Sequence, residues 1–275
     1  MIIEEEALRH WIENFYGYGS WSARFWFVAY EEGGGELPED VAERINYFKA
    51  HHSQAGDSEL CDIRQLYGNV TLRWQGPKAK LYRTLYDFRF GENATPHTIW
   101  KNLTSFEYAI REEPLPDFID YQRRVFASPA ARNEAVLKLF PLPAAHHHGW
   151  YYSWLLLPGL EFIRSRTTYE EILYPLRMQR ILSNIKTYKP ELVLFYGMSN
   201  ISTLKASVQK HFPQAQFTLF KAVKRHIPQY HRADLEGTTL LITTQIPALR
   251  HQRVETGFDW EAFGKAVKGT TVQRR

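Results

Sequence analysis

Four short apolar runs, at residues 23–29, 134–140, 191–196 and 238–243, set the limits on how this chain of 275 residues can fold. None approaches the roughly 18 apolar residues of a membrane-spanning helix. They are rich in aromatic and aliphatic residues, and Pro141 and Gly197 stop two of them directly. Runs that stay apolar without alternation are strands buried on both faces. Interleaved with helices, they describe a parallel sheet covered on both sides. The expected architecture is α/β: a three-layer α/β/α sandwich around a four-stranded parallel sheet, as one domain over residues 1–275. Residues 36–130 form a mostly helical insertion.

The intervening segments carry apolar residues at spacings of three and four. Helices are expected at 4–15, 38–49, 78–90, 98–111, 118–126, 169–188, 199–212 and 259–267. Pro38 opens the second of these. Pro175 marks the true start of the 169–188 helix, and Ser199 or Asn200 caps the one that follows. Residues 70–74 and 217–220 are expected as further strands, the latter at an edge.

Composition narrows the chemistry. A single cysteine, Cys61, excludes an internal disulfide and a cysteine-ligated metal or cluster, and fits a reducing compartment. The acidic start MIIEEEALRH lacks the basic and apolar stretches of a secretion signal, so the expectation is a cytoplasmic, membrane-free monomer. The net charge of +4 permits a polyanionic partner without requiring one. His146, His147 and His148 are consecutive, and consecutive side chains rarely converge on one ion, so no metal and no cofactor are expected.

In a parallel sheet the ligand lies beyond the carboxyl ends of the strands, so the four loops there hold the candidates. The first reads Tyr30-Glu31-Glu32-Gly33-Gly34-Gly35: two carboxylates, then glycines that let the backbone turn sharply. On extended backbone adjacent side chains point opposite ways, so one of Glu31 and Glu32 faces a pocket. The second follows Lys138 and Phe140 through Pro141-Leu142-Pro143 to Trp150. The third, Gly197 to Asn200, opens a helix whose free N–H groups suit an anion. The fourth runs from Thr244 and Gln245 through an apolar tip, Leu249, to Arg250, His251 and Arg253.

This ordered set resembles the uracil-DNA glycosylase superfamily. Ala29-Tyr30-Glu31-Glu32-Gly33 stands at the family's first motif, Lys138-Leu139-Phe140-Pro141 at the second, and Gln245-Ile246-Pro247-Ala248-Leu249 at the last. The likeness is to a divergent bacterial branch with a Leu-Pro-Leu-Pro turn after the middle strand. Ala29 replaces the usual first glycine, Gln245 the family histidine, and Lys138 is nearest to the base-reading asparagine, so uracil is not the expected base.

The resemblance implies a monofunctional DNA glycosylase that flips a damaged or modified base and hydrolyses its N-glycosidic bond. A bulky modified cytosine such as glucosylated hydroxymethylcytosine in phage DNA is one such base, giving an antiviral role. Glu31 aligns with the catalytic carboxylate and Glu32 is the alternative. Tyr30, Lys138, Phe140, Trp150 and Gln245 would form the base pocket. Gly33, Gly34, Ser199, Asn200, Thr244, Leu249, Arg250, His251 and Arg253 would contact DNA, with Leu249 as the wedge. The residues themselves leave two other readings open: a non-catalytic nucleic-acid binder on the same fold, and a hydrolase of free nucleosides or nucleotides.

Overall fold

Strand β2 (Phe25–Glu31) shows why the apolar runs become a sheet centre: Phe25 to Val28 are fully buried, and the strand is paired along both edges. β4 (Glu134–Phe140) and β5 (Leu192–Tyr196) flank it in parallel, and β8 (Thr238–Ile242) runs parallel to β5. These four are the predicted runs. The computed structural model describes residues 3–34, 37–54, 58–73, 79–144, 150–223, 226–248 and 257–272.

The expected four-stranded sheet is corrected to a mixed sheet of eight strands, in the order β3-β1-β4-β2-β5-β8-β7-β6. β1 (Gly17–Tyr18) and β3 (Leu60–Cys61) extend it on one side. β6 (Thr218–Phe220) and β7 (Tyr230–Leu235) extend it antiparallel on the other. β7 joins β8 through Glu236 and Gly237, and Gly237 takes the left-handed φ of +82° that such a tight turn requires.

Side-chain alternation along β2 feeds two cores. Phe25 and Phe27 pack with Phe106 of α5 (Thr98–Arg111) and Phe263 of α9 (Trp260–Val272). Trp26 and Val28 belong to the core shared with α1 (Glu5–Asn14), α2 (Pro38–His51), α7 (Arg166–Tyr188) and α8 (Ile201–His211). Fully buried Arg177 of α7 ties these layers together. Its guanidinium donates to the carbonyls of Ile12, Phe15, Lys138 and Leu139, at 2.6–3.2 Å.

Three local expectations change. The 70–74 strand reduces to one bridge between Thr71 and Thr84, with residue 74 outside the described residues. The 78–90 helix is a short 3₁₀ turn, Ala79–Leu81, followed by α4 (Leu85–Phe90). A reciprocal Thr84–Asp87 capping box fixes that later start. Pro175 sits inside α7, which begins nine residues earlier at Arg166. Pro175 and Glu171 both lie on the exposed face, so water can satisfy the carbonyl whose partner N–H is missing. Among the described residues no helix is long and apolar enough to cross a membrane.

The 36–130 segment also holds α3 (Ile63–Gly68) and α6 (Phe118–Arg124). It does more than decorate the sheet, because α2, α3, α4 and α5 rise over the carboxyl ends of β2 and β4 and enclose a cavity there.

Candidate active site

At the end of β2 the backbone leaves the sheet in a defined way. Ala29 is registered between Lys138 of β4 and Tyr196 of β5. Two residues later Glu31 closes the strand, and the Glu32 N–H donates to the Phe140 carbonyl at 3.1 Å. The Ala144 N–H in turn donates to the Glu32 carbonyl, so the loop after β4 holds the turn from behind. This anchoring aims the Glu32 side chain into the cavity, whose volume is about 730 Å³.

Glu32 is 1% exposed. Its Oε1 accepts from the Tyr18 hydroxyl at 2.8 Å and from Arg44 Nη1 at 3.3 Å. Its Oε2 lies 3.1 Å from Lys138 Nζ, within ion-pair range, but has no aligned hydrogen-bond donor. That oxygen therefore keeps an open acceptor direction beside a cation. The position of Tyr18 next to this carboxylate and its complete burial push its phenol well above the usual range, burial being the larger cause. Tyr18 stays a neutral donor.

Gly34 makes the turn possible. The Gly33 carbonyl accepts from Arg44 Nη1 at 3.0 Å. Gly34 has φ of +78°, and a Cβ there would sit 2.9 Å from Arg44 Nη2. The turn and the buried arginine are thus fitted to each other.

Glu31 goes elsewhere. Its Oε2 pairs with Arg166 Nη2 at the start of α7, and that guanidinium also binds Glu170 and lies over the Trp150 ring. Tyr30 and Phe140 pack ring to ring at 5.0 Å, and Trp150 donates from Nε1 to the Ile163 carbonyl. None of Tyr30, Glu31, Phe140, Trp150 or Gln245 lines the cavity; of the expected base-pocket residues only Lys138 does. Phe140 is core, 3% exposed, as an apolar strand end should be.

The loops after β5 and β8 are brought together. The Gly197 N–H donates to the Gln245 carbonyl at 3.0 Å, and the Met198 N–H to the Thr243 carbonyl at 3.2 Å. Thr244 and Ser199 are exposed, Asn200 caps α8 through the Thr203 N–H, and Ile246 is 54% exposed beside Gly197. Leu249, Arg250, His251 and Arg253 lie outside the described residues, as do His146, His147 and His148. Among the described residues no group of three or more His, Cys, Asp or Glu side chains is placed to hold a metal ion.

The rest of the cavity wall comes from residues that motif reading passed over. Arg44 could have been found: it shares the face of α2 that carries Val41, Ile45 and Phe48, and a charge on an apolar stripe needs a buried partner. His97 precedes α5 and accepts the Trp100 N–H on Nδ1 at 3.5 Å, which leaves the ring proton on Nε2. Burial, with Arg89 and Lys138 nearby, lowers its pKa to about 3, so His97 is neutral at physiological pH. Arg89 and Arg73 complete the basic lining, and nothing in the sequence around them signalled it. Compared with protein-family models, with curated proteins and with solved structures, the chain matches none of them.

Proposed function

We propose that this chain is a hydrolase of N-glycosidic bonds that excises a base from DNA, with Glu32 as the acting carboxylate. One observation carries the reading. Glu32 Oε2, with its free acceptor direction, projects into a cavity of about 730 Å³ from the carboxyl end of the central strand. Cleavage of a glycosidic bond to a base builds positive charge on the sugar, in an oxocarbenium-like transition state. A fixed carboxylate stabilises that charge and orients the attacking water. Tyr18 and Arg44 occupy Oε1, so the carboxylate holds one orientation while Oε2 faces the reacting sugar.

The departing base carries negative charge and needs donors. Lys138 Nζ and the Nε2–H of neutral His97 supply them from the same cavity wall. A cavity of this size has room for a base with a large substituent. The resemblance of the first, middle and last motifs to the uracil-DNA glycosylase superfamily supports DNA as the substrate, as does the net charge of +4. The reaction uses Glu32, a water and these donors.

The test is base release from a panel of duplex and single-stranded DNAs. It includes uracil, hypoxanthine, alkylated bases, hydroxymethylcytosine and glucosylated hydroxymethylcytosine, with abasic sites scored by alkaline cleavage. Abasic sites on at least one substrate support the reading. Intact DNA throughout, at protein in excess over DNA, overturns it.

A further inference from the structure

The charges around the cavity do not balance, and the imbalance is local. Arg73 is neutralised twice over, by Asp40 at 2.7 Å and Glu43 at 2.5 Å. At the Glu32 end, Arg44 and Lys138 share one carboxylate. Arg89 lines the same cavity, half-buried, and no carboxylate among the described residues reaches it. Its guanidinium lies over the Phe88 ring at 4.6 Å instead. Four cations, Arg44, Arg73, Arg89 and Lys138, therefore line the cavity with two carboxylates, Glu32 and Asp40. The Nε of Arg44 is also buried without an acceptor. Burial depresses Arg89; the Tyr67 phenol opposes this in part, and the nearby Arg44 adds to it.

An uncompensated buried cation is costly unless an anion joins it. We propose that the cavity holds a phosphate group of its ligand against Arg89, making the substrate a nucleotide unit and not a bare base or nucleoside. The planar guanidinium fork matches a phosphate in two parallel hydrogen bonds. Tyr67, Phe88 and Trp100 share the cavity wall with Arg89 and give it an aromatic lining. This subsite names the substrate of the cavity already assigned to hydrolysis and rests on that reading for its role. Its test reads binding alone, so it stands or falls separately from base release.

The measurement is calorimetric titration of the full-length protein with deoxycytidine, deoxycytidine 5′-monophosphate and a short single-stranded oligonucleotide lacking a terminal phosphate. The monophosphate or the oligonucleotide should bind at least about tenfold more tightly than the nucleoside. Preference for the monophosphate identifies a free nucleotide as the source of the phosphate, and preference for the oligonucleotide identifies the DNA backbone. Arg89→Met should erase the preference while nucleoside affinity stays unchanged, and Arg89→Lys should retain part of it. Equal affinity of wild-type protein for all three ligands overturns the proposal without recourse to any variant. A preference that survives intact in Arg89→Met overturns it as well.

Discussion

Lys138 Nζ lies 3.1 Å from Glu32 Oε2 without donating an aligned hydrogen bond to it. The two residues come from adjacent parallel strands, and neither is exposed by more than 9%. Their attraction holds charge in the cavity, while the poor alignment leaves the carboxylate an acceptor direction for a water. A buried ion pair of this kind stabilises little in net terms, yet removing one partner strands the other.

Glu32→Ala should therefore destabilise the protein by about 3–5 kcal/mol, because Arg44 and Lys138 lose their shared counter-ion. Denaturant titration of Glu32→Ala, Lys138→Met and the double variant measures it. The double variant should lose less than the sum of the singles, with a coupling of roughly 1–3 kcal/mol. Strict additivity would show that the pair does not interact in solution.

Adjacent glycines should respond differently to alanine. Gly34→Ala places a side chain at φ +78° and 2.9 Å from Arg44 Nη2, and should cost about 1–3 kcal/mol. Gly33 has open space around its Cβ position and no such φ, so Gly33→Ala should be near neutral. Thermal unfolding of both variants decides it; equal effects would contradict the fit of this turn to Arg44.

Glu134, the first residue of β4, and Glu107 of α5 are both fully buried. Burial raises both carboxyls, Glu134 to about 7, and Glu134 adds to the rise at Glu107. A raised carboxyl favours the fold below its unfolded value near 4.5, and that contribution is lost as pH climbs to 7. At pH 8 wild type should lack about 3 kcal/mol that it has at pH 4. Glu134→Gln should raise the melting temperature at pH 8 and have little effect near pH 4. The amide oxygen can replace the acceptor of the Ala127 N–H, and the Tyr121 hydroxyl can turn to accept. No difference between the two pH values would contradict the assignment.

His97 should behave as a neutral ring through the physiological range. Nitrogen chemical shifts of its imidazole should report the neutral form at pH 5, with the proton on Nε2. An inflection near 6.5 assigned to His97 would show that the cavity is wetter than its walls imply.

Much of the sheet was legible because β2, β4, β5 and β8 are continuous apolar runs, and a strand buried on both faces needs little else. α5 matched its predicted span of 98–111, since its apolar residues keep a helical period. β1 and β3 were not legible: two residues each leave no period to read. β7 was hidden by His231, Arg232 and Asp234, polar residues that interrupt any apolar run. Its signal was the Glu236-Gly237 turn into β8. At the site, the alternation rule stated that one of Glu31 and Glu32 faces a pocket, but not which. That depends on Arg166 of α7 capturing Glu31 and on Arg44, Tyr18 and Lys138 gathering round Glu32. The cavity wall was out of reach because α2, α3, α4 and α5, which build it with the strand ends, share no motif.

The most direct test of the central claim is the rate of base release by Glu32→Gln and Glu31→Gln on whichever DNA the wild-type protein cleaves, with folding of each checked by circular dichroism. Glu32→Gln should lose at least about a hundredfold, in line with the loss of a positioned acid–base group. Glu31→Gln should stay within about tenfold of wild type, since its carboxylate serves the Arg166 contact. The opposite pattern, with Glu32→Gln active and Glu31→Gln inert, would contradict the placement of the reaction in this cavity.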